Sequence, residues 1–393
     1  MKINRCIISF VILLILLLSP ISIAEKEESS INDKFLEEQL NSLNIEDLEV
    51  ILEDIVNTSS EYYKGVKVRD LLYSAIKGKN PLDLKGFLNI IFKALIDELL
   101  SNLSLISQIV VVTVACSILS NLQNSFAKDD ISQLANYVCY IILSMMVINS
   151  FILALELGKG TVVKMVDFMQ IILPILLALL TVVGSPGTKL FFNPVVLGAV
   201  NIIGTLIKNI IFPLIFFTFV IGIISNISNK VQFNKLSDLM REIVVVILGA
   251  SFTVFIGIIT IYEIGSNIDG ITIRTAKFAV DSFIPIIGKF LSDAVEAVAG
   301  SSAILKNGVG MMGLISLVLI CLIPVIKILI LIFVYKLIAA LIQPITTETI
   351  LSYFNEITKS LVLILTGILS VTTMFFITIT VIVDASNAAL LLG

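Results

Sequence analysis

Apolar and polar positions divide this chain into a short leading run, a charged amphipathic stretch and a series of long apolar segments. Ile7–Leu18 is almost unbroken in apolar residues and follows Lys2 and Arg5. Ser19 and Pro20 interrupt it, and Ser22-Ile23-Ala24 precedes Glu25. A basic start, a short apolar centre and small residues at a cleavage point form the pattern of a secretory signal peptide over residues 1–24. The run is short for a bilayer span, which needs about 20 apolar residues. An uncleaved signal anchor is the alternative. Cleavage places Glu25 onward outside the cytoplasm.

Residues 25–103 read as a small exported helical region. The stretch is acidic (Glu27, Glu28, Glu37, Glu38, Glu46, Asp47), yet Leu48, Ile51, Leu52 and Ile55 fall on one helical face. A second short helix is predicted from Val68 to Lys77, with Gly78 as a stop signal. Pro81 and Asp83 open a third, lined on one side by Leu84, Leu88, Ile91, Leu95 and Leu99. Its charges suggest a helix lying at the membrane surface or on a partner. The region serves either as a helical cap or as a docking surface for another exported protein.

Seven apolar segments follow: Leu105–Leu122, Leu134–Leu157, Phe168–Val183, Val195–Ser225, Ile243–Ile264, Val309–Leu341 and Leu361–Val383. Backbone polar groups in lipid must bond internally, so each is expected to be helical. Two are too long for one simple span. Val195–Ser225 contains Lys208 and Pro213 and is expected to be broken or tilted; Val309–Leu341 contains Pro324, Lys327 and Lys336. The predicted fold is an all-α polytopic membrane protein of about seven to eight transmembrane helices. It divides into transmembrane helices over 104–265, an amphipathic or re-entrant hairpin over 266–307, and C-terminal transmembrane helices over 308–393. Orientation is contradictory. The loop at 226–242 holds Lys230, Lys235 and Arg241, and a positive-inside rule puts it in the cytoplasm. Alternation from an exported start puts it outside. A run that crosses twice, or a re-entrant segment, would reconcile the two.

Composition reinforces the membrane reading. Hydrophobic residues make up 57% of the chain and charged residues 14%, with a mean hydropathy of +1.06. Soluble domains carry about 25% charged residues. The net charge of -4 gives no basic face for nucleic acid. Histidine is absent, which removes the commonest general base and metal ligand. Cys6, Cys116, Cys139 and Cys321 show no paired spacing and read as small buried residues. No catalytic, cofactor or metal residues are assigned.

Ile271–Leu305 carries the most unusual chemistry. Arg274, Lys277 and Asp281 share a helix face, and Lys289, Asp293 and Glu296 repeat the arrangement after Pro285 and Gly288. Lys277–Asp281 and Lys289–Asp293 are opposite charges four residues apart. The pattern predicts two amphipathic helices meeting at a Pro-Gly hinge. The six charged residues are candidates to line a pore or a subunit interface if the hairpin dips into the membrane. The other reading is a hairpin lying flat on the surface. Gly308, Gly310 and Gly313 match a dinucleotide-binding string, but no strand precedes them, so close helix packing is expected instead. Asp384 is either an ion site or a membrane boundary.

The segments PLDLKGFLNIIFKALIDELL, FMQIILPILLALL, TIRTAKFAVDSFIPIIGKFLSDAVEAVAGSSAILKNGVGMMGL and ICLIPVIKILILIFVYKLIAALIQPI together resemble the stage III sporulation protein AE family. The resemblance is most specific from Ile271 to Pro344. It implies a polytopic protein in the mother-cell membrane that surrounds the forespore. It also implies partners: the other subunits of a channel, or feeding-tube, complex joining the two cells, including a cytoplasmic ATPase and exported ring proteins. The family supplies no catalytic residues. The function expected is a non-enzymatic membrane subunit of that complex; a stand-alone small-molecule permease is the alternative. A permease would be expected to show paired broken helices in two repeats, and the sequence shows no convincing repeat.

Overall fold

Hydrocarbon offers no hydrogen-bond partner to a backbone amide, so apolar runs of this length have one stable form, the helix. A computed structural model of the chain describes the backbone at residue 50 and over 84–126, 129–182, 186–227, 233–283, 287–346 and 348–384. Within the helices, the side chains of 84–85, 87, 119–137, 139, 181–193, 226–227 and 266–303 lie outside the description. The signal and the first two helices expected of the exported region lie outside the described residues.

Helix accounts for nearly all of the described residues, and no strand occurs among them. α1 (Leu84–Ser101) passes through Asn102 into α2 (Leu103–Phe126), followed by α3 (Asp129–Val182). α4 (Pro186–Leu206) continues through a π-helical turn, Ile207–Ile211, into α5 (Phe212–Ile227). α6 (Asn234–Phe283), α7 (Ile287–Ile342) and α8 (Glu348–Asp384) complete the bundle. Among the described residues, six stretches are long and apolar enough to cross a membrane: Leu88–Ile118, Tyr140–Leu180, Pro194–Ser225, Asn234–Gly265, Ile304–Ile342 and Glu348–Asp384. The chain is an all-α polytopic membrane protein.

Three features differ from the sequence expectation. First, the apolar segments Leu134–Leu157 and Phe168–Val183 share one helix, α3, through Val182. The charged residues between them sit on its surface and do not break it. Second, α1 does not lie on the surface: Ala94 is buried, and Ile90, Ile91, Leu95 and Leu99 pack against the core. Third, the long run at 195–225 remains a single crossing. Its break is the π turn, where Phe212 N–H reaches back to Ile207 O. Pro213, next in the chain, has no N–H to give the preceding turn.

α3, α7 and α8 form the densest part of the core. Small residues set their spacing. A Cβ added to Gly158 of α3 would come within 2.7 Å of Ile364 and 2.9 Å of Phe212. On α7, Gly310 is pressed against Val383, and Gly313 against Ile172 and Ile379. The glycine string at 308–313 therefore serves close helix packing. α3 and α8 run parallel and in step. Gly158 meets Ile364, the Thr372 hydroxyl lies 3.4 Å from Met165 Sδ, and Ile172 and Ile379 share Gly313. α7 runs the other way, with Lys306 at Val383 and Tyr335 near Phe354.

These contacts sort the helix ends into two sets. Tyr140 donates to Ile223 O at 2.8 Å, Tyr353 donates to Leu143 O at 3.3 Å, and Arg241 pairs with Glu356. The start of the α3 span, the end of α5, the start of α6 and the start of α8 therefore lie at one end. The end of α3, the start of α7 and the end of α8 lie at the other. Among the described residues, three apolar crossings, not four, precede the basic stretch at 226–242, which runs from the end of α5 into the start of α6. An exported N-terminal region and a cytoplasmic basic loop are then compatible, without a re-entrant segment or a doubled run.

Replacing Gly158 by valine is expected to cost about 1–3 kcal/mol through overpacking. Gly249→Ala, at an exposed helical site with nothing within 4 Å, is expected to stay within about 0.5 kcal/mol. Melting in detergent measures both; equal losses would contradict the close-packing role of Gly158.

Candidate functional site

Charged groups among apolar helices are expensive unless paired or wet, so they mark where this bundle does something beyond spanning. Arg274, Lys277 and Asp281 lie on the last part of α6, and Gly288, Lys289, Asp293 and Glu296 on the first part of α7. α6 ends at Phe283 and α7 begins at Ile287, so two helices meet across this stretch as continuations of the spans. Pro285 lies outside the described residues, as do the side chains of all the charged candidates.

Three polar clusters that sequence reading did not single out are placed by the tertiary contacts. The first is at the start of α8. Arg241 Nη2 lies 2.8 Å from Glu356 Oε2, and Lys359 Nζ lies 2.7 Å from Glu356 Oε1. Arg241 and Glu356 are only 16% and 13% exposed, so this pair is held in place and screened little. Ser237 Oγ beside it donates to Thr218 O.

The second cluster is a cap. Lys306 is fully buried and its Nζ donates to Val383 O at 2.5 Å. Val383 lies in the last turn of α8, where carbonyls have no intrahelical partner and the helix dipole favours a cation. The buried lysine meets both needs.

The third cluster is a cavity. α1 and α2 join at Asn102, where Ser101 Oγ and Asn102 Nδ2 both donate to Glu98 O, at 2.8 and 2.7 Å. The backbone ladder persists, with Asn102 N donating to Glu98 O and Ile106 N to Asn102 O. Side chains that compete for a helix carbonyl bend the helix. Asn102 Nδ2 also donates to Glu98 Oε1, and Lys327 Nζ of α7 lies 3.8 Å from Glu98 Oε2. These groups, with Ser104, Gln108, Ser150, Leu153 and Leu157, line a cavity of about 550 Å³ between α1–α2, α3 and α7. α7 carries Lys327 to Glu98 at the junction of α1 and α2. The cavity can hold polar solutes or water against one acid and one base. Among the described residues, no group of three His, Cys, Asp or Glu is placed to hold a metal ion. Cys116 and Cys321 are buried and form no disulfide.

The architecture defines a multi-pass helical membrane protein with polar groups set into its interior. The family model described as stage III sporulation protein AE matches residues 66–386. A relative in Bacillus subtilis (strain 168), named stage III sporulation protein AE, is 35% identical over 322 residues, 82% of this chain and 81% of that protein. The chain belongs to the stage III sporulation protein AE family and has a role in sporulation. No solved structure matches it.

Glu98→Leu and Lys327→Leu are each expected to lower the melting temperature, because each strands a charge in an apolar bundle. The double replacement is expected to recover most of the worse single loss. Additive losses would mean that the two groups do not depend on each other.

Proposed function

We propose that the chain is a non-enzymatic integral membrane subunit of the channel complex that joins mother cell and forespore, seated in the mother-cell membrane around the forespore. Family membership along most of the chain supports this reading most directly. Its partners would be the other subunits of that complex, among them a cytoplasmic ATPase and exported ring proteins, with lipid around the bundle. The basic stretch between the α5 and α6 spans, with Lys230 before α6 and Lys235 and Arg241 in its first turns, would face the mother-cell cytoplasm. The α6–α7 hairpin would then lie on the far side, where exported partners could reach it. The polar cavity beside the α1–α2 junction favours the second reading, a small-molecule permease.

Deletion of the gene from its sporulating host is expected to give collapsed forespores after engulfment and loss of heat-resistant spores, restored by the intact gene. Normal spores would return the function to a permease or scaffold. Lys289→Leu and Asp293→Leu are expected to reduce spore yield while the protein still reaches the membrane; full yield in both would remove the hairpin from the function.

Orientation has its own test. In vegetative cells that carry the chain in their surface membrane, with its four native cysteines replaced by alanine, Lys235→Cys is expected to be protected from an impermeant thiol reagent and Asp384→Cys to be labelled. The reverse pattern would invert the topology.

A further inference from the structure

The middle of α3 carries a polar face. Glu156, Lys159, Gly160, Lys164, Asp167 and Gln170 recur at helical spacing, and all six are exposed. The opposite face is core, with Val162, Met165, Phe168 and Met169 buried. α4 continues this surface. Gln170 donates to Asn201, Gly204 packs against Val166, and Asn201, Thr205 and Lys208 are exposed in one column.

Depth makes this surface unusual. α8 has no charged residue between Lys359 and Asp384. At about 1.5 Å per residue that stretch is roughly 36 Å long, enough to cross the hydrocarbon. Its midpoint is near Thr372, which touches Met165. Lys164 therefore lies at the middle of the membrane, and the polar face extends to both sides of it.

Lipid is a poor neighbour for five charged or amide side chains at that depth. The described residues of this chain leave the face uncovered. We propose that copies of this chain assemble side by side, so that the polar face of α3 and α4 lines a shared water-filled path. Identical copies related by an axis along the membrane normal present their polar groups at the same depth, which an unrelated neighbour would have to match separately. The face carries both signs, Glu156 near Lys159 and Lys164 near Asp167, so each copy can offer charges complementary to its neighbour. Three lysines (Lys159, Lys164, Lys208) against two carboxylates make the path attractive to anions. The inference deepens the channel-subunit reading and is tested separately from it.

The test uses full-length protein in membranes, with Cys6, Cys116, Cys139 and Cys321 replaced by alanine and one cysteine introduced at Gly160 or Thr205. Nothing lies within 4 Å of a Cβ at Gly160, so G160C fits without strain. V254C is the lipid-facing control. Val254 is 64% exposed and follows α6 to the same depth, since Phe255 packs near Phe375. The same chain without an introduced cysteine gives the background. G160C and T205C are expected to react with water-soluble methanethiosulfonates roughly tenfold or more faster than V254C, because only water carries such reagents to that depth. The anionic reagent should gain on the cationic one, and K164Q/K208Q should erase that gain. A bifunctional maleimide should link G160C chains into a product of twice the chain mass. Labelling no faster than V254C at both positions, or no chain-to-chain product, would overturn the proposal. A failed deletion phenotype would instead count against the channel reading alone.

Discussion

A backbone amide inside a bilayer has no partner except the carbonyl of its own helix, and everything else in this protein is arranged around that requirement. It commits each apolar run to helix. It leaves packing to side-chain shape, because lipid gives helices no hydrophobic reason to associate. Close approach then depends on small residues. Gly158 against Ile364 and Phe212, and Gly313 against Ile172 and Ile379, bring α3, α7 and α8 together. The parallel register of α3 with α8 follows from these contacts, and that register sets the depth of every charged group on α3.

The bundle treats its charges in different ways. Lys306 caps the last turn of α8, where a carbonyl would otherwise lack a donor. Arg241, Glu356 and Lys359 neutralise one another at the start of α8. Glu98 and Lys327 pair in a cavity beside the junction of α1 and α2. All three clusters tie one helix to another or to its own end. The charges on the outer face of α3 are exposed at the depth of the hydrocarbon, and such a surface is the natural place to seek an assembly contact.

Where the break at 207–211 falls shows how local and tertiary causes combine. Pro213 removes one N–H, and the helix answers by reaching five residues back instead of four. The same turn places Phe212 against Gly158, so the irregular segment is also a packing contact of the core. π turns recur at functional positions, and here Lys208 lies within one, beside the polar face.

Composition and apolar periodicity alone determined the membrane setting and the helical fold, because helix in lipid is a local necessity and hydropathy reports it directly; the family was legible only in the resemblance of particular segments, above all Ile271–Pro344. The packing role of Gly310 and Gly313 and the disturbance near Pro213 were also legible, since each arises within a few residues. The number of crossings was not. Glu156 to Asp167 looks like a connection between two spans when read along the chain, and only the packing of α3 along α8 shows that the helix continues. The Glu98–Lys327 pair was equally hidden, because its members lie far apart in sequence and meet only when α1 packs on α7. Depth and side are properties of helices measured against one another, and the tertiary structure decided both.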